Sequence, residues 1–169
     1  MVSSVLVGLT AGLAAVVLKS IVHYIHLALD YGNRLLNQPY WLVVFPLVGI
    51  VLTVFLVKHL FNGKLGRGTA NILYNISQRS SLVERDKMYS HVFTSGITAG
   101  FGGSAGLESP IVVTGSAIGS NFGHSYHLNY RDRTLLLAAG AAAGIAAVFN
   151  APIAGVLFAI DVLLVDVSI

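Results

Sequence analysis

The chain has 169 residues, of which 55% are hydrophobic and only 10% are charged. Soluble domains usually carry about 25% charged residues, so this chain has too little polar surface to cover a water-facing exterior. We therefore expect an integral membrane protein. The absence of cysteine excludes a disulfide framework and a thiolate metal site. In such a protein the net charge of +3 indicates basic cytoplasmic loops, not nucleic-acid binding.

The first apolar segment runs from Ser4 to Asp30 and carries a polar stripe. Lys19, His23 and His26 follow one another at helical spacing. We interpret the segment as a tilted helix whose stripe lies near an interface or a protein contact. We expect a mature helix here and not a signal peptide, because Met1-Val-Ser-Ser is not a basic region and no small-residue cleavage site is followed by a polar mature domain. Metal binding by the two histidines is rejected because no third ligand is evident.

The second apolar segment, Trp41 to Val57, is the clearest transmembrane prediction. It contains no charged residue, and aromatic and basic residues flank it as expected for interfacial anchors. Pro46 lies inside it and predicts a kink.

Residues 58–91 are the polar exception in an apolar chain. Six of the ten basic residues lie here, against two acidic ones. The basic residues are Lys58, Lys64, Arg67, Arg79, Arg85 and Lys87. The positive-inside rule places this region in the cytoplasm. Within it, Thr69 to Ile76 predicts a short, half-buried helix that begins after the glycine-rich Gly66-Arg67-Gly68.

The second half of the chain consists of short apolar segments restarted by glycine, asparagine or proline. They are Val92–Phe101, Ser109–Phe122, Thr134–Phe149 and Ile153–Leu164. Ser109–Phe122 is too short to span a bilayer as one helix. Asn150 is the predicted N-cap of the last helix, with Pro152 in its first turn. Broken helices survive in a membrane only where they are buried in protein or line a cavity, as in many ion sites.

The most suggestive motif is Gly102-Gly-Ser-Ala-Gly-Leu-Glu-Ser-Pro110, which ends at a predicted helix start. A helix N-terminus carries partial positive charge and unpaired N–H groups, so it binds an anion without a basic side chain. We assign this role to Gly106, Leu107, Ser109 and Pro110. The carboxylate of Glu108 would compete with the anion, and its protonation would then couple pH to conduction. The alternative is that Glu108 only caps its helix or reaches an interface.

Gly66-Arg67-Gly68-Thr69 is a second glycine-framed helix start. Its backbone N–H groups would add donors for the anion, and Arg67 would add a full charge. The alternative is an ordinary loop arginine that faces water or lipid phosphate.

Three elements in this order resemble the CLC family of chloride channels and transporters. Gly106-Leu-Glu-Ser-Pro110 resembles the family's G-(K/R)-E-G-P element, whose glutamate gates the anion pathway. Phe149-Asn-Ala-Pro-Ile-Ala-Gly-Val-Leu-Phe-Ala-Ile-Asp161 resembles F-N-A-P-x-A-G-x-L-F-x-x-E. Gly66-Arg-Gly-Thr-Ala70 falls where the family has G-S-G-I-P. Together the elements cover about residues 60–165.

The resemblance implies an all-α integral membrane fold in which tilted and broken transmembrane helices form the first of two inverted repeats. It implies transport of chloride or a similar small anion across the cell membrane, a homodimer in the lipid bilayer, gating by Glu108, no cofactor and no enzymatic activity. We expect residues 1–169 to be the N-terminal portion of the transmembrane domain. The apolar run of residues 134–165 meets no polar tail, so a truncation is expected.

Departures from the family pattern bear on selectivity and coupling. Arg67 replaces the serine whose hydroxyl helps to bind the central anion, and Leu107 replaces a basic residue. Val162 stands where the family's antiporters often carry an internal glutamate and its channels tend to carry valine. This slightly favours a channel over proton-coupled antiport.

Two other functions remain open on the residues alone. A broken-helix secondary transporter of another family would couple Na⁺ or H⁺ to an organic solute. A membrane scaffold would use its glycines only for helix packing. Saturable uptake of an organic solute without halide flux would favour the other transporter family. The scaffold, which transports nothing, predicts that neutralising Glu108 changes only stability.

Overall fold

The computed structural model describes residues 2–36, 41–61, 65, 68–78 and 80–164. Within these residues the chain is all-α, as predicted, and contains no strand. Its helices are α1 (Val2–Leu36), α2 (Trp41–Leu60), α3 (Thr69–Ser77), α4 (Ser90–Gly100), α5 (Glu108–Ser125), α6 (Tyr130–Phe149) and α7 (Pro152–Phe158). A 3-10 turn, Arg85–Met88, precedes α4, and a π-helical turn, Ala159–Leu163, follows α7.

Helix α5 forms the centre of the fold. Every residue from Pro110 to Ser120 is buried, because α1, α3, α4, α6 and the 3-10 turn all pack around it. Ile111 and Val112 of α5 meet Leu137 of α6 in the main apolar core. A helix that is buried on all sides carries apolar or small residues on every face, as α5 does.

Helices α5 and α6 cross at glycines. A Cβ built on Gly115 would overlap the carbonyl oxygen of Gly140, and a Cβ on Gly140 would overlap that of Gly115. Gly119 meets the carbonyl of Leu136 in the same way. Two backbones approach this closely where a glycine leaves no side chain at the contact. Small residues thus allow the close packing of the two helices at this crossing.

Helices α1 and α2 present apolar side chains on their outer surfaces. α1 buries Val7, Ala11, Ala15 and Leu18 on its inner face. Its exposed apolar residues include Val5, Leu9, Leu13 and Val16, and those of α2 include Leu47, Val51, Val54 and Phe55. Contiguous exposed apolar surface of this kind marks a membrane or protein contact. By length and composition, residues 2–32 of α1 and all of α6 are able to cross a bilayer.

Several predicted helix ends are wrong because hydropathy marks apolar stretches and not the ends of hydrogen-bonded turns. α1 continues past Asp30 to Leu36. α5 begins at Glu108 and has 18 residues instead of the predicted 14, since its last turn is polar. α6 begins at Tyr130 instead of Thr134 for the same reason. The last predicted helix divides into α7 and the π-helical turn.

The prediction for Asn150 is also wrong. Asn150 has φ 52° and ψ 36°, the left-handed conformation of a helix C-cap, and it ends α6. Ala151 is the N-cap of α7, and Pro152 lies in the first turn as expected. Asparagine tolerates the left-handed region better than most residues, which explains its place at this break.

Candidate anion site

Helix α3 begins at a glycine that no other residue would replace without strain. Gly68 has φ 63° and ψ −141°, a backbone conformation that is essentially restricted to glycine. The helix that follows starts at Thr69 and buries Ile72 and Ile76, so the predicted short, half-buried helix is confirmed. Gly66 and Arg67 lie outside the described residues, and their predicted anion contacts stay predictions.

Helix α5 begins at Glu108, with Leu107 as its N-cap. Ile111 N–H donates to the carbonyl of Leu107 at 3.2 Å, closing the first turn, and Pro110 is buried. Within the described chain, no side chain caps either α3 or α5. The first N–H groups of both helices therefore have no side-chain acceptor and are available to an anion.

The two helix starts lie against each other. The hydroxyl of Thr69 donates to the Ser109 hydroxyl oxygen at 3.1 Å. A Cβ built on Gly68 would lie 2.7 Å from the same Ser109 oxygen. The fold thus brings together two sites that the sequence places 40 residues apart. We call this junction of Gly68, Thr69, Glu108 and Ser109 the paired helix starts.

Glu108 is exposed at the paired helix starts. Gly106 beside it has open space where a side chain would lie, with no atom within 4 Å of a built Cβ. In the described part of the chain the one ion pair joins Lys87 Nζ to Glu84 Oε2 at 3.2 Å, so Glu108 has no cationic partner there. The described residues leave Glu108 exposed, so the competition of its carboxylate with an anion stays a prediction.

The other end of α3 is fixed to α6 and to the following connection. The Tyr130 hydroxyl donates to the carbonyl of Ile76 at 2.9 Å. Asn75 Nδ2 donates to the carbonyl of Leu82 at 2.9 Å. These contacts hold the last turn of α3, so its first turn meets α5 in a defined position. Tyr130 was not predicted as a site residue, because its hydrogen-bond partner, Ile76, lies 54 residues away and no local pattern indicates it.

A buried hydrogen-bond network joins the connection after α3 to the centre of the fold. The hydroxyls of Ser81 and Thr134 lie 2.7 Å apart. Ser120 Oγ donates to the Ser81 carbonyl at 2.6 Å and accepts from Val83 N–H at 3.0 Å. Asn121 Nδ2 donates to the Val83 carbonyl at 3.0 Å. Sequence reasoning missed this network, whose only signal is small polar residues inside apolar helices.

Lys87, a basic residue of the predicted cytoplasmic region, is buried. Lys87 is 6% exposed, and its ammonium pairs with the exposed Glu84. Thr114 of α5 donates to the Lys87 carbonyl at 3.4 Å. Lys87 therefore belongs to the packing of the 3-10 turn against α5 and is not a free loop charge.

Val162, the predicted coupling position, lies in the π-helical turn and is 37% exposed. This turn packs chiefly on α6 and α7. Single π-helical turns often occur at functional sites. The structure does not bring Val162 to the paired helix starts, and its predicted role in coupling stays a prediction.

The chemistry of the paired helix starts favours an anion over a metal ion. They offer backbone N–H donors, two hydroxyls and the positive ends of two helix dipoles. Among the described residues no three histidine, aspartate or glutamate side chains are grouped to hold a metal.

Comparison with known proteins agrees with this chemistry. Residues 49–169 match the family described as voltage gated chloride channel. The chain is 30% identical over 154 residues to the chloride/fluoride channel protein of Pseudomonas syringae pv. tomato, covering 90% of this chain and 34% of that protein. It is 31% identical over 180 residues to chloride channel protein CLC-d of Arabidopsis thaliana, covering 94% and 23%.

A third relative has a name that describes an exchanger of protons and chloride. The chain is 33% identical over 168 residues to the H(+)/Cl(-) exchange transporter ClcA of Vibrio cholerae serotype O1, covering 94% of this chain and 35% of that protein. The chain thus spans about a third or less of each of these relatives, whose names describe both channels and exchangers.

Proposed function

The chain belongs to the voltage-gated chloride channel family, and on that premise we propose that it supplies part of a transmembrane pathway for chloride or a similar small inorganic anion. The observation that carries the proposal is the contact between the starts of α3 and α5 at Thr69 and Ser109. Two helix N-termini aimed at one place form an anion site from backbone donors. No observation favours a transporter of organic solutes.

Glu108 is the proposed gate at this site. It is the first residue of α5, so its carboxylate and a bound anion would compete for the same N–H groups. Protonation would remove the negative charge and release the donors to the anion. Anion flux would therefore rise on acidification of the side to which Glu108 is accessible.

The test is anion efflux from proteoliposomes that contain the protein at its natural length. Glu108→Gln removes the charge at nearly constant size, so we expect flux that no longer depends on pH. Asp132→Asn is the matched control, because Asp132 is an exposed acid in the first turn of α6, away from the paired helix starts. The wild-type response should be about tenfold, which corresponds to about 1.4 kcal/mol of competition. An unchanged pH response in Glu108→Gln would remove Glu108 from the mechanism.

Passive conduction is proposed over proton-coupled exchange. Val162 offers no carboxylate to carry a proton, and the neighbouring Asp161 is exposed. Chloride flux measured with and without an opposing proton gradient tests this point. Proton movement against its gradient, driven by chloride, would contradict it.

We further assign the protein to the cell membrane as a multi-pass homodimer, with residues 58–91 on the cytoplasmic side. The exposed apolar surfaces of α1 and α2 support contact with lipid. On α7 the exposed apolar residues Ile153, Val156 and Leu157, with Ile160 of the π-helical turn that follows, support a contact with lipid or with a second copy. Cross-linking of a cysteine placed at Ile153 would be expected between copies in the membrane, and its absence would argue against this face as the interface.

A further inference from the structure

A cluster of basic residues lies at the turn between α5 and α6, outside the paired helix starts. Its members are His124, His127, Arg131 and Arg133. All of them except Arg133 are exposed. The one ion pair of the described chain lies elsewhere, so no carboxylate of that part of the chain pairs with this cluster. The proposed anion pathway does not use any of these side chains.

Arg133 is the member that the fold holds in place. A Cβ built on Gly123 of α5 would lie 3.1 Å from Arg133 Cγ, so the methylene stem of the arginine lies against the glycine. Arg133 Nε is buried and has no hydrogen-bond partner among the described residues. A buried donor of a charged group is costly without an acceptor. This cost would be removed by an anionic ligand that reaches the guanidinium.

The start of α6 adds backbone donors between the two arginines. Asn129 is the N-cap, but its side chain makes no capping bond, and the first N–H that donates to its carbonyl is that of Arg133, at 3.0 Å. Arg131 and Arg133 are two positions apart, which places them about 200° apart around the helix axis. They therefore flank the uncapped N–H groups on two sides. Guanidinium groups and a helix N-terminus are the donors that bind phosphate best, and the carboxylate of Asp132 offsets only one of the two full charges.

An apolar groove leads away from Arg131 along the same face of α6. The groove has a volume of about 470 Å³ and lies between α1, α6 and α7. Its lining on α6 is Leu135, Ala138, Ala139, Ala142, Ala143 and Ala146. Arg131 precedes Leu135 by four residues, so it stands one helical turn beyond the end of this lining. A positive charge at the end of an apolar groove is complementary to a molecule with an anionic head and an apolar tail.

The position of the cluster along α6 fits the headgroup layer of a bilayer. α6 is long and apolar enough to cross a membrane, so its first turn lies near the level of the lipid headgroups and the groove at the level of the acyl chains. Tyr126 is 64% exposed and stacks on Phe122 with ring centroids 4.8 Å apart. Exposed tyrosine and arginine beside a transmembrane helix are typical of the membrane interface.

We propose that the start of α6 is a binding site for an anionic membrane lipid. The lipid phosphate binds Arg131, Arg133 and the first N–H groups of α6, and one acyl chain lies in the groove between α1, α6 and α7. The site goes beyond the proposed function and does not depend on which ion the protein transports. Bound lipid stabilises the fold, because the Tyr130 hydroxyl donates to the Ile76 carbonyl and the Thr134 hydroxyl lies 2.7 Å from that of Ser81. The start of α6 is thereby tied to α3 and to the connection that follows it.

Thermal unfolding of the natural-length protein in detergent tests the proposal. Short-chain phosphatidylglycerol, which carries one negative charge, is compared at equal concentration with phosphatidylcholine of the same chain length and with inorganic phosphate. We expect phosphatidylglycerol to raise the Tm by about 3 °C and the other two to raise it by less than about 1 °C. An equal rise with phosphatidylcholine would overturn the role of the basic cluster. An equal rise with inorganic phosphate would overturn the assignment to a lipid.

Variants of the arginines show whether the effect arises at this site. Arg131→Gln with Arg133→Gln should abolish the rise, whereas the charge-matched control, Lys19→Gln with Arg85→Gln, should keep it, because both control residues are exposed and lie on α1 and the 3-10 turn. If the double variant does not fold, Arg131→Gln alone should at least halve the rise, since this side chain is exposed. A full rise in Arg131→Gln, or in the double variant, would overturn the proposal.

A variant of the groove tests the place of the acyl chain. Ala139→Phe fills the groove and should at least halve the rise in Tm, whereas Ala28→Phe, at an exposed position of α1 outside the groove, should leave it unchanged. Size-exclusion chromatography of the same samples reports the oligomeric state. A full rise in Ala139→Phe together with a smaller assembly would show that a second copy covers the groove, and the proposed place of the acyl chain would be wrong.

Discussion

Helix α5 takes part in two regions, its crossing with α6 and the paired helix starts. The two regions differ in how far the described residues bury or pair the groups that they present. At the crossing, Gly115 and Gly140 bring two backbones into contact, and the surrounding side chains are buried. At the paired helix starts, Glu108 and Ser109 are exposed, and the first-turn N–H groups lack side-chain caps. The crossing buries its own side chains, whereas the paired helix starts leave backbone N–H donors available to a ligand.

This difference indicates which region folding needs and which region function needs. Buried apolar contact and paired hydrogen bonds stabilise the folded state, whereas open helix N-termini contribute little to it. Substitutions at the crossing should therefore reduce stability, and substitutions at the paired helix starts should change anion binding at nearly constant stability. Three substitutions test this division.

The largest effect is expected at the crossing. Gly140→Leu would force a side chain into the backbone of α5 at Gly115, so we expect a loss of about 3 kcal/mol or misfolding. Thermal unfolding in detergent, followed by size-exclusion chromatography, measures it. Gly12→Leu is the matched control, since a Cβ on Gly12 has no atom within 4 Å and leucine favours helix more than glycine. Equal stability of the two variants would show that the crossing is less tightly packed than described.

An intermediate effect is expected in the buried network that joins the connection after α3 to α5 and α6. Ser120→Ala removes the acceptor for Val83 N–H and the donor to the Ser81 carbonyl. Leaving such buried groups unpaired costs about 1–3 kcal/mol. The same unfolding assay measures the loss, with Ser20→Ala as control, because the Ser20 hydroxyl bonds only to its own helix at Val16 on an exposed surface. A loss no larger than that of the control would mean that water replaces the missing partner.

What the sequence predicted correctly depended on neighbours along the chain. The start of α3 after Gly68 and the position of Glu108 at the start of α5 follow from glycine and proline placed next to apolar runs. The prediction of Asn150 as an N-cap was wrong because asparagine suits both an N-cap and a left-handed C-cap. Only the backbone conformation distinguishes the two.

What the sequence did not predict depended on contacts between distant residues. Ser81 bonds to Ser120 and Thr134, which are 39 and 53 residues away, and no local pattern marks such partners. His91 and Lys87 looked like members of a polar connection, and only the packing of the 3-10 turn against α5 shows that they are buried. Gly68 and Ser109 were predicted only as parts of two separate helix starts, and the fold alone shows that they meet.

The smallest effect on stability is expected at the paired helix starts. A substitution that changes chloride affinity there at nearly constant stability separates this region from the crossing. Thr69→Val removes the hydroxyl that donates to Ser109, an exposed bond whose loss should change stability by no more than about 0.5 kcal/mol. Chloride affinity should nevertheless fall about twofold or more, because the two helix starts are then free to separate. Thr10→Val is the control, as the Thr10 hydroxyl bonds only within α1. If Thr69→Val instead destabilises the protein as much as Ser120→Ala does, the paired helix starts contribute to the stability of the fold as the buried network does. The division between folding and binding along α5 would then be wrong.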